Sequence, residues 1–503
     1  MKFTRNALFI SLLTMTAMSA NAQDLRIGLQ SDADVLDPDQ SRSFVGRIVY
    51  ASLCDKLVDI TPDLDITPQL ASSWSWSADG KALTFKLRED VVFHDGTPFN
   101  AEAVARNLAR SQMLPESRRK SEVSSIEDTT VLGEYEIRLN LKQPDSTLLA
   151  QFADRSGMMI SPDAADAAGK DFGLKPVCSG AFEFVERIAQ DRIVLKKFDN
   201  YWNKDAIHFD SVTFLPIPDN TVRLANLLSG DIDILDRLAA TDLNQAEASD
   251  AVEVVRAVSL GWRGMTMNIG NGERSNTPWG NDKRVRQALS YSIDRNVLNN
   301  VVFNGAFAAG NQPFPPNSPW YDKESPIPER DIAKAKALLT EAGYPDGLEL
   351  EISVPNTNVP TQVTQVIQSM AKEVGINIKL VTKEFATLLA DDSVGNYQAS
   401  QLGWSGRVDP DGNIHQFVTT GGGINDSVYS NAKVDELLNA ARRSADQEER
   451  KINYDAATKI ILDELPIIFL YHQSWIWGLS PKLKGFKSYP DGMIRLEDVS
   501  YAQ

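Results

Sequence analysis

The chain has 503 residues, 42% hydrophobic and 24% charged, an ordinary globular balance. That length exceeds what one hydrophobic core usually organises, so two lobes are expected. A net charge of −17 repels phosphate backbones and anionic lipid, which argues against nucleic acid as a partner.

The N-terminus reads as an export signal over residues 1–22. Lys2 and Arg5 precede an uncharged run over 7–18, and Ala20-Asn21-Ala22 forms a small-x-small cleavage site, so the mature chain is expected to start at Gln23. The uncharged run is well below the ~20 residues that a membrane span needs. No later run reaches that length; 460–479 comes nearest and is interrupted by Asp463, Glu464 and Pro466. No cysteine follows the leader in a lipid-attachment position. Removing the two basic leader residues takes the net charge from −17 to −19. The expected product is a soluble, exported monomer without membrane insertion. Its two cysteines, Cys54 and Cys178, form an even pair, which in an exported chain suggests a disulfide; two buried thiols are the alternative.

Residues 25–29 read as a first strand, followed by a polar loop over 31–43 and a helix over 45–57. In 71–99, a turn at Asp79-Gly80-Lys81 leads into alternation: Leu83, Phe85 and Leu87 share one face, and Thr84, Lys86 and Arg88 the other. This is a half-buried hairpin strand. A helix over 102–110, strands over 135–141, 191–198 and 211–217, and a helix over 221–228 follow. Residues 252–268 read as one long strand with glycines at 261 and 264, and 283–303 as one amphipathic helix. Asp331 caps a helix over 332–342 that stops at Gly343. A strand over 348–354, a helix over 360–374 and a strand over 376–381 give the βαβ rhythm of an α/β lobe. Helices over 434–441 and 450–462 precede apolar strands over 467–471 and 475–479.

Several strings resemble those of the bacterial extracellular solute-binding proteins of the oligopeptide, dipeptide and nickel class. They are the 71–99 segment ASSWSWSADGKALTFKLREDVVFHDGTPF, Leu36-Asp37-Pro38, the turn at 176–182, Leu228-Ser229-Gly230-Asp231-Ile232-Asp233, the helix RVRQALSYSIDR at 284–295 and ALLTEAGY at 337–344. They occur in the family's order across the mature chain. The resemblance implies an α/β, two-lobed periplasmic-binding-protein fold with an extra subdomain inserted in lobe I. On this sequence, lobe I takes 23–48, 178–262 and 474–503, the subdomain 49–177 and lobe II 263–473, with crossings near Trp262 and 471–474. It also implies a non-enzymatic, periplasmic role in peptide or peptide-like import, with an ABC permease and ATP-binding subunits as partners and no cofactor. Other solutes taken by the same fold are nickel or haem complexes and sugar or opine conjugates. An exported hydrolase on a similar scaffold is the alternative of a different class.

Enzyme motifs are absent from the sequence. Gly403-Trp404-Ser405-Gly406 brings its second glycine one position early for a nucleophile elbow. No phosphate-binding loop or H-E-x-x-H occurs, and His94, His208, His415 and His472 are too scattered for a local metal site. His415, beside the 401–413 loop, keeps the nickel-complex alternative open. The glycine-rich segment 401–413 is the expected binding loop: Trp404 offers a flat wall, and Arg407 and Asp409 bring opposite charges. In peptide-binding relatives a carboxylate three residues after this tryptophan holds the peptide ammonium. Here that position is Arg407, so the sign is reversed. Arg407 is then suited to a carboxylate or phosphate, or it pairs with Asp409 or Asp411 and only shapes the loop. Asp409 is a second candidate for an ammonium. The resemblance implies that Trp262 and Arg263, on the crossover strand, lie opposite this loop, where an aromatic often stacks on ligand; core packing is the alternative for Trp262. Arg42 and Phe44 are candidates on the lobe I side, and Asn356 and Asn358 on the lobe II side.

Overall fold

A computed structural model describes residues 23–502. The expected leader lies outside the described residues. Two mixed sheets organise the chain. In the first, Asp24–Leu29 runs parallel to Ser211–Pro216 and to Ile234–Leu235. Arg192–Lys197 and Phe182–Ile188 extend one edge, and Ser474–Leu479 and Glu253–Val258 the other. In the second, Leu348–Pro355 runs parallel to Ile376–Lys383 and Ala399–Trp404, while Trp262–Met267 lies antiparallel between Ala399–Trp404 and Ile467–His472.

Each sheet carries its own core. Leu25, Ile27, Leu29, Phe214 and Trp477 pack in the first lobe. Met265, Leu289, Ile352, Ile367 and Leu470 pack in the second. A separate four-stranded antiparallel sheet, Ala71–Trp76, Ala82–Leu87, Glu136–Leu141 and Ile126–Gly133, forms the inserted subdomain. The alternation read in its hairpin places Leu83, Phe85 and Leu87 in that subdomain's core, while Lys86 is exposed.

The single strand expected over 252–268 is two strands in different sheets. Glu253–Val258 pairs with Ser474–Leu479 in the first, and Trp262–Met267 pairs in the second. The break at 259–261 is fixed by close approach: a Cβ on Gly261 would lie 1.9 Å from the Trp404 carbonyl oxygen. The return path is shorter still, with Gln473 alone separating Ile467–His472 from Ser474–Leu479. The two crossovers hold each other. The Ser259 amide donates to the Gln473 carbonyl at 2.9 Å, and His472 Nδ1 lies 2.8 Å from the Gly261 carbonyl oxygen. The helix expected over 283–303 is likewise two, Lys283–Ser292 and Arg295–Phe303, because the Asp294 carboxylate caps the second by accepting from the Val297 amide. No helix among the described residues is long and apolar enough to cross a membrane.

Candidate functional site

A cavity of about 850 Å³ opens where the two lobes meet. The first lobe contributes Gln30, Arg223 and Arg237, the second Arg263, Gln401 and Tyr471, and the return crossover Gln473 and Ser474. Val302, Phe303, Phe307 and Leu402 supply an apolar wall. Three arginines and no carboxylate line it, in a chain of net charge −17.

The backbone of Arg263 is held between Gly403 and Tyr471. Its Nη2 donates to Gln473 Oε1 at 2.9 Å, and it makes no ion pair among the described residues. Burial lowers its pKa. Gly403 leaves the space its side chain needs, since a Cβ there would lie 2.3 Å from Arg263 Cδ. Arg237 adopts a left-handed backbone (φ 56) and lays its guanidinium 4.3 Å above the Phe44 ring and 4.8 Å above Trp475. Burial, together with neighbouring Arg263 and Arg223 and against the pull of Asp236, brings its pKa down to about 10. Arg223 Nη2 donates to Asn220 Oδ1 at 2.8 Å and to the Arg237 carbonyl at 3.1 Å. The nearest carboxylate, Asp236, stands 4.0 Å from Arg237 and is itself pushed up to about 6 by burial.

The 401–413 loop lies beside this cavity and is organised by Asn413. Its Oδ1 accepts from the Arg407 amide at 2.7 Å and the Trp404 indole at 3.2 Å, and its Nδ2 donates to the Arg407 carbonyl at 2.9 Å. Arg407 lies 4.3 Å over the Trp404 ring, and its Nε is 3.3 Å from Asp154 Oδ2 in the opposite lobe. Neither expected local partner holds it: Asp409 pairs with Arg450 at 2.6 Å and Asp411 with Arg442 at 2.5 Å. Burial and the like charges of Arg47 and Arg119 lower the Arg407 pKa to about 10 against the attraction of Asp154.

Trp262 sits in the lobe II core instead of on the cavity wall. It is 2% exposed, its indole N–H donates to the Asn413 carbonyl at 3.0 Å, and its ring meets Phe417 and Phe469 edge-on. Phe44 begins the helix Phe44–Leu53, which Ser43 caps, and stacks on Trp475 at 4.6 Å. Arg42 is exposed, and its charge faces Asp426. Asn356 and Asn358 line a shallower recess of about 400 Å³ with Thr361, Gln362 and Gln365, and Asn358 also borders the main cavity. His415 lies 3.1 Å from Asn439, and no metal-holding cluster of acids, histidines or cysteines occurs among the described residues. Cys54 and Cys178 are joined by a disulfide. Arg223 and Arg237 carry no motif in the sequence; Arg223 opens the largely apolar run at 224–228, and Arg237 follows Ile234-Leu235-Asp236.

Residues 65–425 match the profile of the bacterial extracellular solute-binding proteins, family 5. The glutathione-binding protein GsiB of Pectobacterium atrosepticum is 30% identical over 495 residues, covering 96% of this chain and 95% of that protein. The periplasmic binding protein DppA of Helicobacter pylori, solved with the peptide STSA, superposes with a TM-score of 0.86 at 25% identity, over 96% of this chain and 99% of that one. AgaA from A. tumefaciens R10, solved with agropinic acid, superposes at 0.83 and 26% identity, over 95% and 99%. With its two sheets, inserted subdomain and inter-lobe cavity, the chain belongs to the family 5 bacterial extracellular solute-binding proteins.

Proposed function

We propose that this protein is the periplasmic receptor of an ABC importer and captures a small, anionic, peptide-like solute by closure of its lobes. The carrying observation is the inter-lobe cavity with three arginines and no carboxylate in its lining. Buried guanidinium groups favour an anionic guest, because a charge removed from water needs a charged, hydrogen-bonded partner. The apolar wall of Val302, Phe303 and Phe307 suits the rest of such a molecule. A guest touching Arg237 and Arg263 contacts both lobes, as it must to shift the open–closed balance. The curated relative named as glutathione-binding fits a carboxylate-bearing peptide as the guest. The solute is released unchanged to a permease, and the chemistry of ATP belongs to the partner subunits.

A second reading within the same class is a sugar–amino acid conjugate. The uncharged recess of Asn356, Asn358, Thr361, Gln362 and Gln365 next to the cavity offers the paired donors and acceptors that a polyol needs. Calorimetry tests both. Glutathione or another acidic peptide should bind and its diester should not, with the recovered molecule chemically intact. Equal affinity for acid and ester, or hydrolysis of the ligand, overturns the reading.

A further inference from the structure

Beside the cavity lies a second concentration of buried cations that the cavity does not include. Arg47, Arg119, Arg155 and Arg407 are each less than a tenth exposed. They face two carboxylates. Asp154 takes Arg47 at 2.7 Å and Arg407 at 3.3 Å, with Arg155 at 3.8 Å, and Glu122 pairs with Arg119. Arg155 donates to the Ser41 carbonyl at 3.0 Å, and Arg119 to the same oxygen at 3.3 Å. Asp34 stands on the other side of this loop and accepts from Ser41, the Arg42 amide and Ser43. Four guanidinium groups thus meet two carboxylates in a buried space. Arg47 Nη1 and Arg119 Nε are buried there without a hydrogen-bond acceptor, and Arg155 Nε has only Asp154 Oδ1 at 3.8 Å, beyond hydrogen-bond distance.

An excess of buried positive charge with unused donors is costly unless an anion supplies the missing acceptors. The like charges have a visible effect: burial with Arg119, Arg407 and Arg47 close by drives the Arg155 pKa well below its ordinary value. The cluster is divided between the lobes, Arg407 on one side and the other three on the other, so opening the lobes exposes it. It adjoins the cavity through Phe44, whose ring has Arg47 at 5.6 Å and Arg237 at 4.3 Å.

We propose that Arg47, Arg119, Arg155 and Arg407 form a second anion subsite, distinct from the Arg223–Arg237–Arg263 wall, so that the natural solute carries two anionic groups separated by the Phe44 ring. This rests on the anionic reading of the cavity for its two-group solute, but the subsite itself is tested apart from it.

The probe is malonate, titrated against chloride at constant ionic strength while thermal unfolding of the solute-stripped mature chain is followed. The background carries Arg263→Gln, which weakens the cavity. Malonate should raise the melting temperature saturably in that background. Adding Arg119→Gln should move the half-saturating concentration up about tenfold. Adding Glu122→Gln, which enlarges the excess of positive charge, should move it down. That gain of affinity is a result misfolding does not imitate. No saturable stabilisation in the Arg263→Gln background, or a midpoint that neither added variant moves, overturns the subsite. Stabilisation by malonate that is identical with and without Arg263→Gln counts instead against the cavity reading and leaves the subsite standing.

Discussion

Arg407 and Asp154 meet at 3.3 Å across the two lobes, and Asp154 holds Arg47 at 2.7 Å on its own side. Ser146 reinforces the contact, donating from its amide at 3.0 Å and its hydroxyl at 2.9 Å to the Arg442 carbonyl. Removing either ion-pair partner has unequal consequences. Asp154→Asn strands several buried cations and should cost about 3–5 kcal/mol in urea unfolding, the usual range for a broken buried pair. Arg407→Gln should cost less, since Asp154 keeps Arg47. It should also enlarge the radius of gyration in X-ray scattering, because the inter-lobe tie is lost. Equal costs, or unchanged scattering, would contradict this role for the pair.

Arg263 reaches the cavity without an ion-pair partner among the described residues, so an anionic solute is its natural counter-charge. Arg263→Gln should weaken an acidic ligand by roughly 10- to 100-fold, the equivalent of about 1.5–3 kcal/mol for a charged hydrogen bond. Arg263→Lys should recover only part of this, because a point charge lacks the planar fork. Calorimetry with acid and ester forms of one ligand provides the check: the ester's affinity should not change.

His472 gives a signed pH dependence. It is buried between the crossovers, and burial lowers its pKa to about 4 despite the bond to Gly261. The unfolded imidazole titrates near 6.5. Between these values the unfolded chain binds more protons, so this contribution is intact above about pH 6.5 and is lost as pH falls toward 4, up to about 3 kcal/mol. Buried Asp55 and Asp392, both raised to about 7 by burial, act with the opposite sign, so only a difference isolates the histidine. The stability difference between wild type and His472→Asn should shrink or reverse from pH 7.5 to 4.5. Parallel curves would refute it.

The Cys54–Cys178 disulfide spans 124 residues and ties the end of the Phe44–Leu53 helix to the segment before Phe182–Ile188. Closing a loop of that length stabilises a folded chain by about 4–5 kcal/mol in the chain-entropy treatment. Alkylation without reductant should label no thiol. The Cys54→Ser, Cys178→Ser double variant should unfold at clearly lower urea concentration.

Local signals in the sequence carried much of the framework. Alternation placed Leu83, Phe85 and Leu87 in the subdomain core, and Asp331 before 332–342 marked the start of a helix, where its side chain accepts from the Lys334 amide. Breaks that depend on distant residues were not legible. The glycines at 261 and 264 mark an irregularity within 252–268, but the break at Gly261 is set by the Trp404 carbonyl, which lies far along the chain. The same limit applies to the site. The reversed sign at Arg407 stands in the sequence, but its partner Asp154 belongs to another lobe, and only the fold brings them together. The resemblance puts Trp262 opposite the 401–413 loop, but a position on a crossover strand does not say which side of the sheet the ring takes; it faces the core, and its indole is spent on the Asn413 carbonyl. Arg223 and Arg237 reach the cavity through the paths of a helix end and a left-handed turn.

Native mass spectrometry of the protein taken gently from its own host tests the central claim most directly, because the solute it carries is then read without a guess. The account predicts an additional mass that fragments as an intact carboxylate-bearing peptide or amino-acid conjugate, present in wild type and depleted in Arg263→Gln. A carried solute that is cationic, or one retained equally by Arg263→Gln, would contradict it.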